Sequence, residues 1–126
     1  MTGMEIQAVA GETAGLPYVS GLVAHGDLVF VSGQTPLLDG VLVDASIEAQ
    51  VEAVLSKIEA ILGRAGSALS QVVHCGVYVA DLGDLPGLNS AYEQAFAGRL
   101  PTRTTVGVNL PGYGVEIDCV AVLPDH

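Results

Sequence analysis

From Ile47 to Ala65 the apolar side chains return every third or fourth residue: Ile47, Val51, Val54, Ile58, Ile61 and Ala65. That spacing draws one stripe along an α-helix and predicts a helix lying against a sheet. Ser46 stands where such a helix is capped, Gly66 where it is closed, and Arg64 near its negative pole. A second helix is predicted from about Asp84, with Pro86 tolerated in its first turn and Leu88, Tyr92, Ala95 and Phe96 turned inward. Elsewhere the period is two. Val73, Cys75, Val77 and Val79 point one way while His74, Gly76 and Tyr78 point the other, as in a strand from Val72 to Ala80. Residues 4 to 9, Val19 to Ala24 and Leu28 to Val31 read as three strands in an antiparallel group, with His25-Gly26-Asp27 as the turn into the third. Pro36 to Val43 reads as a loop turning at Gly40, and two strands, Pro101 to Val108 and Val115 to Val122, follow the second helix.

Three strands, a helix, a strand, a helix and two strands give an α+β fold, a mixed β-sheet with the two helices packed on one face. The local pattern makes the last two strands a hairpin around Asn109 to Gly114. No repeat, linker or low-complexity run divides the chain, so residues 1–126 are expected to form a single domain.

Half of the residues are hydrophobic and 14% are charged, which excludes a disordered chain and implies much buried apolar surface, some of it between subunits. Fourteen acids against four Lys and Arg give a formal charge of −10. Binding to nucleic acid or to an anionic membrane needs basic clusters, and none is present. No apolar run approaches the ~20 residues of a membrane span, and no basic segment followed by an apolar stretch marks a signal peptide, so the expected location is the cytoplasm. Cys75 and Cys119 lie inside apolar strand patterns and read as buried small hydrophobes; His25, His74 and His126 do not cluster, and no metal site is visible.

The unusual charges are in the last two strands. Lys57, Arg64 and Arg99 fall on or at the ends of helical segments, which leaves Arg103 as the only cation in a strand. A guanidinium among threonines and valines needs an anionic partner once it leaves bulk water, either a protein carboxylate or that of a ligand. Glu116 and Asp118 share one face at roughly 6.5 Å spacing, and that face is otherwise Val120 and Val122. On these residues alone, a structural ion pair and an anion site stand level. As an edge residue, Arg103 is expected to have no internal partner.

Pro101-Thr102-Arg103-Thr104-Thr105-Val106, Leu110-Pro111 and Val115-Glu116-Ile117-Asp118-Cys119-Val120-Ala121 resemble the C-terminal signature of the RidA/YjgF family of enamine and imine deaminases. Pro17-Tyr18-Val19, Leu28 to Gln34, Val77 to Leu82 and Asn89 to Glu93 agree with the family in order, so the resemblance runs from about Tyr18 to Val122. It implies a chorismate-mutase-like fold in which the final strand slots into the middle of the sheet, away from the Arg-bearing edge strand. It also implies a homotrimer with pockets between subunits, and no cofactor. The implied ligand is a small imino acid or 2-oxo acid, held by Arg103, with Glu116 positioning water and moving protons. Tyr18, Ser32, Gly33, Asn89 and Thr105 carry over as substrate-binding positions, Asn89 as a contribution from a neighbouring subunit. By themselves Tyr18 reads as a core aromatic or a pocket wall, and Asn89 as a solvated helix residue. The chain departs from the family at Leu16, at Gly107 and in a shortened Asn109 to Gly114 region. A non-catalytic carboxylate-binding protein on the same fold is the alternative to the deaminase. An endoribonuclease ranks last, because there is no basic groove and no His pair.

Overall fold

The computed structural model describes residues 6–12 and 14–124. Residues 4 and 5 of the first predicted strand, and His126, lie outside them. The elements run β1 (Ile6–Val9), β2 (Gly21–Ala24), β3 (Leu28–Gln34), β4 (Leu37–Leu38), β5 (Val41–Leu42), α1 (Ile47–Ala65), β6 (Val72–Val79), α2 (Leu85–Phe96), β7 (Thr102–Gly107) and β8 (Val115–Val122). The fold is α+β, as the sequence predicts.

The main sheet has the order β3-β8-β6-β7, with β6 and β7 parallel and the other pairs antiparallel. The last two strands are therefore not the hairpin that their nearness in sequence suggests: β8 crosses to the middle, as the resemblance implied, and β7 is left at the edge. Burying Val115, Ile117, Cys119 and Ala121 between two neighbours outweighs the short closure, since a central strand satisfies both its hydrogen-bonding edges.

The three N-terminal strands also differ from expectation. β1 and β2 pair only with each other, in a separate ribbon, and β3 pairs with β8. The turn at His25-Gly26-Asp27, with Gly26 at φ 113°, passes the chain to β8, where the Leu123 N–H donates to the Asp27 carbonyl at 2.9 Å. Pro36 to Val43 is not a plain loop but holds the β4–β5 hairpin, whose Asp39-Gly40 turn has φ of 52° and 79°. Asp-Gly is the dipeptide that tolerates such a pair of angles.

Ser46 Oγ accepts the Ala49 N–H at 3.2 Å at the start of α1, and Gly66 closes its end at φ 90°. The buried line along α1 is Ile47, Gln50, Val51, Val54, Leu55, Ile58 and Leu62; Ile61 is only half-buried and Ala65 is exposed. Near the C-terminal end the contact line has drifted to Leu62, because 3.6 residues per turn rotates any fixed spacing around the axis. On β6 a register slip against β8 between Val72 and His74 buries Val72 and leaves Val73 half-buried, so the predicted alternation holds only from Cys75 onward. The helices cover the sheet face bearing Cys75, Val77, Val79, Val115, Ile117, Cys119 and Ala121. Among the described residues no helix covers the opposite, bare face.

Candidate active site

Strand parity decides where each candidate side chain lies. Arg103 is registered against Cys75, and Cys75 against Cys119, so all three project from the helix-covered face. Glu116 is registered against Tyr78 and projects from the bare face. The two are thus on opposite sides of the sheet and two strands apart, about 10 Å laterally. An ion pair between them within one chain is excluded.

Arg103 does have partners in its own chain, contrary to expectation. Its Nη2 donates to Asn89 Oδ1 at 2.7 Å, and its guanidinium carbon lies 4.8 Å from the centroid of the Tyr92 ring. Both come from α2, where Asn89 and Tyr92 are three residues apart and so face the same way. Neither partner is a carboxylate. Nη1 is buried and has no hydrogen-bond partner among the described residues. Burial accordingly lowers the pKa of Arg103, with Tyr92, Cys75, Glu93 and Tyr18 acting against that shift. Tyr18 is thus near the guanidinium; the Val19 N–H to Pro101 carbonyl bond, 3.4 Å, ties its segment to the start of β7. Thr105, two residues on, shares the face of Arg103. Asn89 therefore sits with Arg103 on one chain rather than reaching it from a neighbour.

On the bare face, β3 bulges between Val31 and Gln34 and brings Ser32 and Gly33 beside β8. A Cβ at position 33 would fall well inside contact distance of Glu116 Oε2 and 3.1 Å from its Cδ, so glycine is what lets the carboxylate lie against the strand. Glu116 Oε1 accepts the Tyr113 hydroxyl at 3.0 Å. Asp118 is differently held: Oδ2 accepts from Tyr78 at 2.9 Å and Oδ1 from the Gly76 N–H at 3.3 Å.

The seven candidates thus divide into a guanidinium cluster of Arg103, Asn89, Thr105 and Tyr18, and a carboxylate cluster of Glu116, Gly33 and Ser32. Sequence reasoning missed two contributors. Gln50 is only 4% exposed: its Nε2 donates to the Asp44 and Ala45 carbonyls at 3.0 and 3.2 Å, and its Oε1 accepts the Gly114 N–H at 2.7 Å. A glutamine inside the apolar stripe of α1 was the available signal. Tyr113 lies in the loop between β7 and β8, and no local pattern marked it. Cys75 and Cys119 are buried, and desolvation pushes both thiols up to about 12, away from the reactive thiolate.

A family model described as Endoribonuclease L-PSP matches residues 5–123. Protein DfrA of Myxococcus xanthus is 40% identical over 104 residues, 79% of each chain. A RutC family protein of Synechocystis is 35% identical over 130 residues, covering 98% of this chain and 99% of its own. The crystal structure of a YjgF family member from Neisseria meningitidis superposes with a TM-score of 0.72 at 29% identity, over 98% of this chain and 99% of that one.

Proposed function

The chain belongs to the YjgF/RutC/Rid family, also described as Endoribonuclease L-PSP, and from that premise we propose that it is a deaminase hydrolysing small α-imino acids, or their enamine tautomers, to 2-oxo acids and ammonia. The observation that carries this reading is the buried, unpartnered Nη1 of Arg103, beside an Nη2 already fixed by Asn89. A ligand carboxylate supplies the missing acceptor and offsets the desolvation of the guanidinium.

Because Arg103 and Glu116 occupy opposite faces, one chain cannot bring both to one small molecule. The site is therefore assigned to the boundary between copies, Arg103, Asn89, Thr105 and Tyr18 from one and Glu116, Gly33 and Ser32 from the next, in a homotrimer. The bare face supports assembly: Phe30 is 74% exposed on it and Val106 43%. With the substrate carboxylate held by Arg103, Glu116 accepts a proton from water as the oxygen attacks the carbon of the protonated imine, giving a neutral carbinolamine. Glu116 returns that proton to the nitrogen, the C–N bond breaks with its electron pair going to nitrogen, and ammonia leaves as the hydroxyl gives its proton to the carboxylate and becomes the carbonyl. Such proton transfer contributes typically ~10²–10⁴ in rate. Imine hydrolysis is intrinsically easy, so orientation and proton supply suffice.

The endoribonuclease description fits this chain poorly. Only four Lys and Arg are present against a net charge of −10, and phosphodiester binding depends on cations. The test is ammonia release from 2-aminoacrylate generated in situ by an amino-acid lyase, together with light scattering. Acceleration by a particle of three chain masses is expected; a monomer, or no acceleration over buffer, overturns the proposal.

A further inference from the structure

The loop from Asn109 to Gly114 joins β7 to β8, and its last residues are fastened at several points. The Gly114 N–H donates to Gln50 Oε1 at 2.7 Å, and the Gly114 carbonyl accepts the Ala80 N–H at 3.0 Å. Gly112, at φ 89°, turns the chain, with its N–H on the Leu110 carbonyl at 2.9 Å. Position 114 is also tight: a Cβ there would lie 3.0 Å from Gln50 Oε1 and 3.2 Å from Ile47 Cδ1, so either neighbour would have to give way by a few tenths of an ångström. Gln50 is itself locked by the Asp44 and Ala45 carbonyls, so the core of α1 fixes the backbone immediately after Tyr113. The tyrosine hydroxyl meets Glu116 Oε1 at 3.0 Å.

We propose that Tyr113 is the positioning residue for the Glu116 carboxylate: by holding Oε1 it leaves Oε2, against Gly33, as the oxygen that takes the proton. The inference rests on the deaminase reading, and it specifies which oxygen acts and what aims it. A glutamate side chain has three rotatable bonds, and a carboxylate free to turn would spend little time directed at one water. Gly33 limits it from the β3 side, while the other titratable groups that the strands place on this face of the sheet are engaged elsewhere, Tyr78 and Asp118 with each other and His74 with the Thr102 hydroxyl. Tyr113 behaves as a committed donor: burial, then its bond to Glu116, raises its pKa above the ordinary value of 10.0, which keeps the proton on the phenol.

The experiment compares Tyr113→Phe, which keeps the ring and removes the donor, with the unaltered full chain. Carbon-13 NMR at one fixed pH follows the Glu116 carboxyl resonance, and steady-state kinetics follows ammonia release. Losing the Tyr113 hydrogen bond should displace that resonance. Expected kinetics are a kcat lowered about tenfold with KM within about twofold, because Arg103 still binds the carboxylate. An unmoved resonance overturns the proposal, as does a displaced resonance with unaltered kcat. If the resonance moves but the unaltered protein releases no ammonia, the hold of Tyr113 on Glu116 stands and the deaminase reading falls.

Discussion

Gly33→Ala places one methyl group where the carboxylate of Glu116 now lies. The added Cβ would meet Oε2 inside contact distance and Cδ at 3.1 Å, so one of the two must move. The far end of the glutamate is the softer partner, and a retreat of about 1 Å restores contact; displacement of that size at a reacting group costs about 10²-fold in rate. The fold should barely register the change. Gly33 lies in a bulge of β3 and is exposed, and Gly to Ala contributes about 0.4–1 kcal/mol of stability through the unfolded chain. Against this stand about 0.5–1.5 kcal/mol for an off-rotamer Glu116 and about 1 kcal/mol if the Tyr113 bond is lost. The balance is at most about 2 kcal/mol of destabilisation, a few degrees in Tm. Kinetics of imine hydrolysis, calorimetry and binding of pyruvate as a product analogue give the comparison. A fall of about 100-fold in kcat with assembly and pyruvate binding retained is expected. Unaltered kcat refutes the reasoning, and so does a loss of rate that comes with a collapsed Tm.

Arg103→Lys should lose most activity and weaken pyruvate binding at least about tenfold, since an ammonium cannot span both Asn89 and a two-oxygen ligand; calorimetric titration checks this. Asn89→Ala frees Nη2 and should raise KM several-fold with kcat little altered, read by steady-state kinetics. Glu116→Gln should cut kcat by at least about 10²-fold with pyruvate still bound, and Asp118→Asn should be milder by at least about tenfold, measured side by side. Equal losses would reduce both to an effect of negative potential. Stability should fall in alkali. Desolvation holds the Cys75 and Cys119 thiols at about 12 in the fold against an ordinary 9.0, so the unfolded chain releases those protons first. Their contribution is whole below pH 9 and is lost as pH rises toward 12, on the order of a few kcal/mol per thiol. Urea midpoints at fixed protein concentration should drop between pH 8 and 10.5, and less in Cys75→Ala; a flat profile contradicts this.

Helices were legible because their information is local. The stripe of α1, its Ser46 cap and its Gly66 closure all fall within one stretch of chain, and only the last turn was misplaced, by the drift from Ile61 to Leu62. Strand content was readable except for the short β4–β5 hairpin, but strand partners were not. β8 could pair with β7 across a short loop or with β3 and β6 across most of the chain, and an alternating pattern looks the same in either place. Nearness in sequence pointed to the wrong neighbour twice, at β7–β8 and at β2–β3. Family resemblance corrected the first and said nothing about the second. At the site, residue types singled out Arg103 and Glu116, yet the side of the sheet each occupies depends on strand register, which alone excludes their ion pair within one chain. Gln50 could have been found as a polar interruption of an apolar stripe. Tyr113 could not, because its importance comes from where Gln50 holds the following residue.

Glu116 and Asp118 share a strand face and stand two residues apart, each with a tyrosine, and their surroundings still separate their roles. Both oxygens of Asp118 are engaged, one by Tyr78 and one by the Gly76 N–H. A side chain at position 76 would displace this pair, since a Cβ there would lie 2.7 Å from Asp118 Oδ1 and 3.1 Å from the Tyr78 hydroxyl. A carboxylate whose acceptors are filled by its own fold ties β8 to β6 and has little left for a ligand. Glu116 has one oxygen on Tyr113 and the other against the bulge of β3, at the margin of the bare face where a second chain would approach. The same division explains why the guanidinium cluster is left incomplete: Arg103 is braced by a neutral amide and a ring, which orient it without neutralising it. Each half of the site is thus organised by its own chain and chemically unsatisfied within it: on the proposed reading, an anionic substrate bound between two copies would complete Arg103, and the water that attacks it would donate to Glu116.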